Sequence, residues 1–230
     1  MMGKSWRTIA TTLMLVSLAL AAAACGGGSS TRRSAEELED DPMNHYRWAR
    51  EQHLRGYYQE ALDSIDKAIA LDPSAYLFYN ERGLIHLNAG QPEEALIDFQ
   101  MVAELNPLYT DVHNNLGATL ARLGRTDEAR AEFERVIKDP LYPNRELAYA
   151  NLGDMLYSAG DYEGAIQELR RAVAIEKKYQ RAYYTLGLCY QALGRMEDAR
   201  DSFEEVVRID PYSERAREVQ QILTDLDLAS

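Results

Sequence analysis

A small residue returns every 34 positions along most of this 230-residue chain, and that period limits the fold more than any other feature. Ala49, Gly83 and Gly117 are 34 apart, and so are Gly153 and Gly187. A second glycine runs in step, at Gly56, Gly90, Gly124, Gly160 and Gly194, each between two stretches of apolar residues at helical spacing. Such a glycine marks the end of a helix and the turn after it, because it adopts the left-handed conformation without strain. Five places on comes Ala61, Ala95, Ala129, Ala165 or Ala199, and next a large apolar residue: Ile65, Phe99, Phe133, Leu169 or Phe203. Pro73, Pro107 and Pro211 stop the second helix of their segments, since proline lacks the amide proton and clashes with the preceding turn. Each unit reads as two helices meeting at a small residue. Such a unit cannot cover its own apolar face and must stack on copies of itself.

The five segments 42–75, 76–109, 110–143, 146–179 and 180–213 resemble tetratricopeptide repeats, with Leu116-Gly117, Leu152-Gly153 and Leu186-Gly187 at the close helix contact. The resemblance implies an all-α, right-handed α-solenoid over 42–230, whose first helices line a concave groove. The tail is expected to form a capping helix over 213–226. Ser213 would be its N-cap, with Ala216, Val219, Ile222, Leu223 and Leu226 on one stripe.

Ahead of the repeats, Lys4 and Arg7 precede an apolar run from Ile9 to Ala24. The run is shorter than the ~20 residues of a spanning helix. Residues 1–24 therefore read as a secretory signal. The run closes Leu20-Ala21-Ala22-Ala23-Ala24-Cys25-Gly26, which resembles the lipobox of bacterial lipoproteins, with Ala22 where leucine is usual. An ordinary cleavage site beside an unrelated cysteine is the alternative. The lipobox implies covalent lipid on Cys25, a diacylglyceryl thioether plus an N-acyl chain such as palmitate. Three chains anchor stably where one is marginal. Gly26, where aspartate would signal inner-membrane retention, implies the periplasmic face of an outer membrane. Residues 25–41 are Gly/Ser-rich and then charged, a flexible tether with a reach of ~20–25 Å. The two cysteines, Cys25 and Cys189, stand far apart in unlike contexts, so no structural disulfide is expected.

Without Lys4 and Arg7 the chain has 23 basic against 37 acidic residues, a net charge of -14. That argues against nucleic acid, which needs a basic stripe. The histidines His45, His53, His86 and His113 lie apart, with no spacing that makes a metal site. Cys189 sits between Leu188 and Tyr190 as a small buried hydrophobe, and Trp48 is expected in the core. There is no phosphate loop and no nucleophile elbow. The expectation is a non-enzyme with no cofactor, metal or small-molecule substrate, acting through its surface. On the first helices the partner-binding candidates are Tyr46, Arg50, Asn80, Leu84, Leu87, Asn114, Asp154, Tyr157, Tyr184 and Leu188. The mix of apolar, amide and tyrosine side chains suits a peptide.

The period breaks once. Gly117 and Gly153 are 36 apart, and the two extra residues fall in Asp139-Pro140-Leu141-Tyr142-Pro143-Asn144-Arg145. Leu141-Tyr142-Pro143-Asn144-Arg145, then five residues, then Asn151-Leu152-Gly153 resembles the type IV pilus biogenesis/stability lipoproteins, the pilotins PilF, PilW and Tgl. That resemblance implies a scaffold which helps the pilus secretin localise and multimerise, and so supports pilus assembly and twitching or gliding motility. A general envelope adaptor for peptidoglycan enzymes or outer-membrane protein assembly is the alternative. Within the loop, Leu141, Tyr142 and Arg145 are either partner contacts or parts of a spacer that alters the stacking of two repeats.

Overall fold

The turn glycines set the path of the chain. The structure is a computed structural model that describes residues 41–139 and 142–229, with side chains as far as 225. Residues 1–40, and with them the leader, Cys25 and most of the tether, lie outside the described residues, as do Pro140 and Leu141. Gly56, Gly90, Gly124, Gly160 and Gly194 all have φ between +72° and +80°. A side chain there would be strained, and each residue closes one helical hairpin. The hairpins are α1 (Pro42–Leu54) with α2 (Tyr58–Leu71), α3 (Tyr76–Asn88) with α4 (Pro92–Leu105), and α5 (Asp111–Arg122) with α6 (Thr126–Lys138). Two more follow: α7 (Arg145–Ser158) with α8 (Tyr162–Ile175), and α9 (Gln180–Ala192) with α10 (Met196–Ile209). A single helix, α11 (Glu214–Ala229), ends the stack.

Within a hairpin the helices meet at the small residue. A Cβ added to Gly83, Gly117, Gly153 or Gly187 would lie 2.7, 2.6, 2.5 or 2.4 Å from the nearest atom of Phe99, Phe133, Leu169 or Phe203. Between hairpins, each second helix packs on the next first helix, and successive first helices also touch. The result is an α-solenoid of five hairpins with the first helices in a row along one face. At its end the Ser213 hydroxyl accepts a hydrogen bond from the Ala216 amide at 3.1 Å, the N-cap of α11, while Ala216 and Val219 are fully buried. The side chain of Leu226 lies outside the described residues.

The apolar interior is uneven. One cluster runs from Leu87 to Val219, and a separate one joins Ala49, Ala61, Ile65 and Ala68 to Phe78 and Ile85 of α3. Where the last three hairpins bury Leu116, Leu152 and Leu186, the second places Arg82, bound to Asp98 and Asp66, each at 2.7 Å. In the first hairpin the same place is Trp48. It is 54% exposed, which corrects the expectation of core packing, because among the described residues no earlier hairpin covers it. Among the described residues no helix is long and apolar enough to cross a membrane.

Candidate protein-binding groove

The first helices hold the groove face rigid through contacts one repeat apart. Asn115 donates to Asn80 at 3.0 Å, Arg122 to the Leu87 carbonyl at 2.7 Å, and Arg181 to Asn151 at 2.6 Å. Tyr184 donates to Glu218 of α11 at 2.5 Å, under the Arg215 guanidinium. At the other end, Arg50 stands 5.7 Å above the Tyr46 ring and 3.7 Å from Glu81, which also binds His53 at 2.7 Å.

The sequence-selected residues divide by burial. Tyr46, Asn80, Leu84, Asp154, Tyr157, Tyr184 and Leu188 are partly exposed along this face, and Arg50 is exposed. Leu87 and Asn114 are buried, at 8% and 3% exposure, so as surface contacts they are corrected: they form the floor that other side chains stand on. The helical repeat marks position but not depth. Asp154 accepts from Thr185 at 2.8 Å and lies 3.5 Å from Arg181. Burial pushes its carboxyl up, and Arg181 opposes that shift.

The Tyr142 side chain turns inward. Asp139, the C-cap of α6, is extended, and Tyr142 is 9% exposed, packed with Val136 and Ala148. Its hydroxyl donates to Asp111 and accepts from Asn114 at 3.4 Å. Burial, then the Asp111 carboxylate, pushes the phenol up to about 12. Of the two readings of the loop, contact or spacer, Tyr142 takes the spacer's part: its side chain is a wedge between the third and fourth repeats. Arg145 opens α7 and is partly exposed.

Below that wedge, between the C-terminal halves of α5 and α7, the groove holds a cavity of about 430 Å³. Ala118, Ala121 and Arg122 form one wall, Asp154 and Met155 the other, and Phe133 of α6 the floor. The sequence reading missed the cavity, although the two alanines in place of larger groove residues signal it. Cys189 is fully buried and burial pushes its thiol up to about 12, so it offers no nucleophile. Among the described residues no group of acidic, histidine or cysteine side chains is placed to hold a metal ion.

A row of first helices lining one open face, stacked hairpin on hairpin, is the architecture of a protein-interaction scaffold. Tetratricopeptide repeat models match residues 46–110, 111–135 and 181–213, and a TPR repeat model matches 153–194. The chain belongs to the tetratricopeptide repeat family. Among curated proteins it is 29% identical over 179 residues to the tetratricopeptide repeat and J domain-containing co-chaperone DNJ1 of Fusarium oxysporum f. sp. lycopersici, covering 75% of this chain and 34% of that one. The chain spans less than two thirds of the length of the first curated relatives it matches. Among solved structures it is similar to PilW, described as a widely conserved type IV pilus biogenesis factor, with a TM-score of 0.70, 22% identity and coverage of 82% and 91% of the two chains. It is also similar to PilF of Pseudomonas aeruginosa, with a TM-score of 0.67, 16% identity and coverage of 82% and 89%. At these identities the likeness is one of fold.

Proposed function

We propose that this chain is a pilotin: a lipid-anchored scaffold on the periplasmic face of the outer membrane that holds a segment of the type IV pilus secretin while the pore assembles. The observation that carries the reading is the interruption itself. The Leu-Tyr-Pro-Asn-Arg loop, spaced five residues from Asn-Leu-Gly, falls midway along a five-hairpin array. The fold likeness to PilW and PilF supports the same reading. A tetratricopeptide groove takes a protein segment, and nothing else in the chain needs to react. The lipid on Cys25 and the tether behind it confine the groove to a thin layer at the membrane. That confinement raises the effective concentration of a secretin segment arriving in the same layer, with no further contact required.

The test separates anchor from array. In Cys25→Ala at native expression, the array is expected to stay folded by circular dichroism but to leave the outer-membrane fraction. Secretin multimers on non-reducing gels, and surface pili with them, are expected to fall. Normal multimer levels in that strain overturn the reading. Recovery of peptidoglycan hydrolases instead of secretin, on beads carrying the array, would favour a general envelope adaptor.

A further inference from the structure

The third repeat is the exception on the groove face. Where other repeats carry Leu84, Asp154 or Leu188 it has Ala118, and where they carry Leu87, Tyr157 or Gln191 it has Ala121. Beside these alanines the two-residue insertion seats Tyr142 against Asp111 and Asn114 of α5 and Ala148 of α7. The cavity of about 430 Å³ lies further along the same pair of helices. Its volume is in the range of sites that enclose small organic groups, roughly 300–1,000 Å³.

Its rim is polar in a particular way. Arg122 stands on one wall and uses one of its five N–H donors on the Leu87 carbonyl, 2.7 Å away. The equivalent places in the neighbouring repeats are Asn88 and Ser158, so this cation belongs to the third repeat. Asp154 stands on the opposite wall, and its carboxylate has acceptor capacity beyond Thr185 and Arg181. A peptide unit has one acceptor and one donor, and the two walls offer the complement of each. Between them the alanines, Met155 and Phe133 offer an apolar recess.

The geometry points to an anchor site for one bulky apolar residue, of phenylalanine, leucine or tyrosine size, in an extended segment of a partner protein. The peptide carbonyl of that residue faces Arg122 and its amide faces Asp154. With a chain net charge of -12, a lysine or arginine beside the anchor is favoured over an acid. The assignment rests on the groove being a protein-binding surface, and it deepens that reading by naming the place and the side chain.

The probe is N-acetyl-phenylalanine N-methylamide, titrated into the full chain carrying ¹³C-methyl methionine, with N-acetyl-alanine N-methylamide as control. The Met155 methyl resonance is expected to shift with the phenylalanine probe and not with the alanine one. Ala118→Leu installs the residue found at that place in the second and fifth repeats, and is expected to weaken probe binding at least about tenfold, or ~1.4 kcal/mol. Arg122→Gln, which leaves the recess unfilled, is expected to weaken it severalfold and serves if Ala118→Leu does not fold. No shift at Met155 up to the solubility limit, or a shift that both variants leave unchanged, overturns the assignment. The probe is not secretin, so failure here and failure to recover secretin are separate results.

Discussion

At Gly117 a hydrogen atom is all that separates α5 from the Phe133 ring. A methyl group there would sit 2.6 Å from one ring carbon and 2.7 Å from another, and Phe133 is 1% exposed, so the ring itself must shift to admit it. Gly117→Ala is expected to cost ~1–3 kcal/mol by overpacking, against the helix propensity that alanine would otherwise gain. A urea midpoint at or above that of the parent would refute the placement. This contact was legible in the sequence because both partners repeat at fixed spacing, Gly117 with Phe133 as Gly83 with Phe99. Trp48 was not legible. Its equivalents Leu116, Leu152 and Leu186 are buried by the hairpin before them, and α1 has no earlier hairpin among the described residues. A periodic pattern identifies a position's neighbours only where those neighbours exist.

Among the helices, α3 departs from its repeats because Arg82 takes a place that is leucine in three others. Arg82 binds Asp98 at 2.7 Å, and Asp98 is 2% exposed. Burial pushes the Asp98 carboxyl up while Arg82 holds it down, as in a buried pair whose desolvation offsets its attraction. Asp98→Ser, the residue present as Ser64 and Ser202 in the first and fifth repeats, leaves a partly buried guanidinium without its main partner. The expected cost is about 3 kcal/mol. Adding Arg82→Leu is expected to recover most or all of that loss, giving a coupling in a double-mutant cycle on chemical denaturation. Strictly additive losses would show that the pair does not act as a unit. The elements themselves were readable from glycine, proline and apolar spacing. The ion pair was not, since the sequence shows Arg82 and Asp98 as ordinary charges and only packing reveals that they share a buried seam.

For the whole array, the interruption decides how the third and fourth repeats sit together. Tyr142 fills the gap between them and holds its proton to about 12, whereas a free phenol ionises near 10. The folded state keeps a proton that the unfolded chain releases. The stability this contributes is therefore full below about pH 10 and is lost as pH rises through about 12. Tyr184, raised to about 12 by burial and by Glu218, acts in the same direction. In Tyr142→Phe the fall of the urea midpoint across that window is expected to be shallower than in the parent, and an equal slope would remove Tyr142 from this role. The sequence showed where the rhythm breaks and left two uses for the loop; only the stack decided which way Tyr142 faces. The divided interior has a further, mechanical consequence. Tension entering at Asp41 passes through the hairpins in series, and at the joint after α2 the Arg82–Asp66 ion pair shares the seam with apolar contacts to Phe78 and Ile85. Pulled from that end, α1, α2 and α3 share one apolar cluster and are expected to yield as a block, before the longer cluster that spans the remaining hairpins.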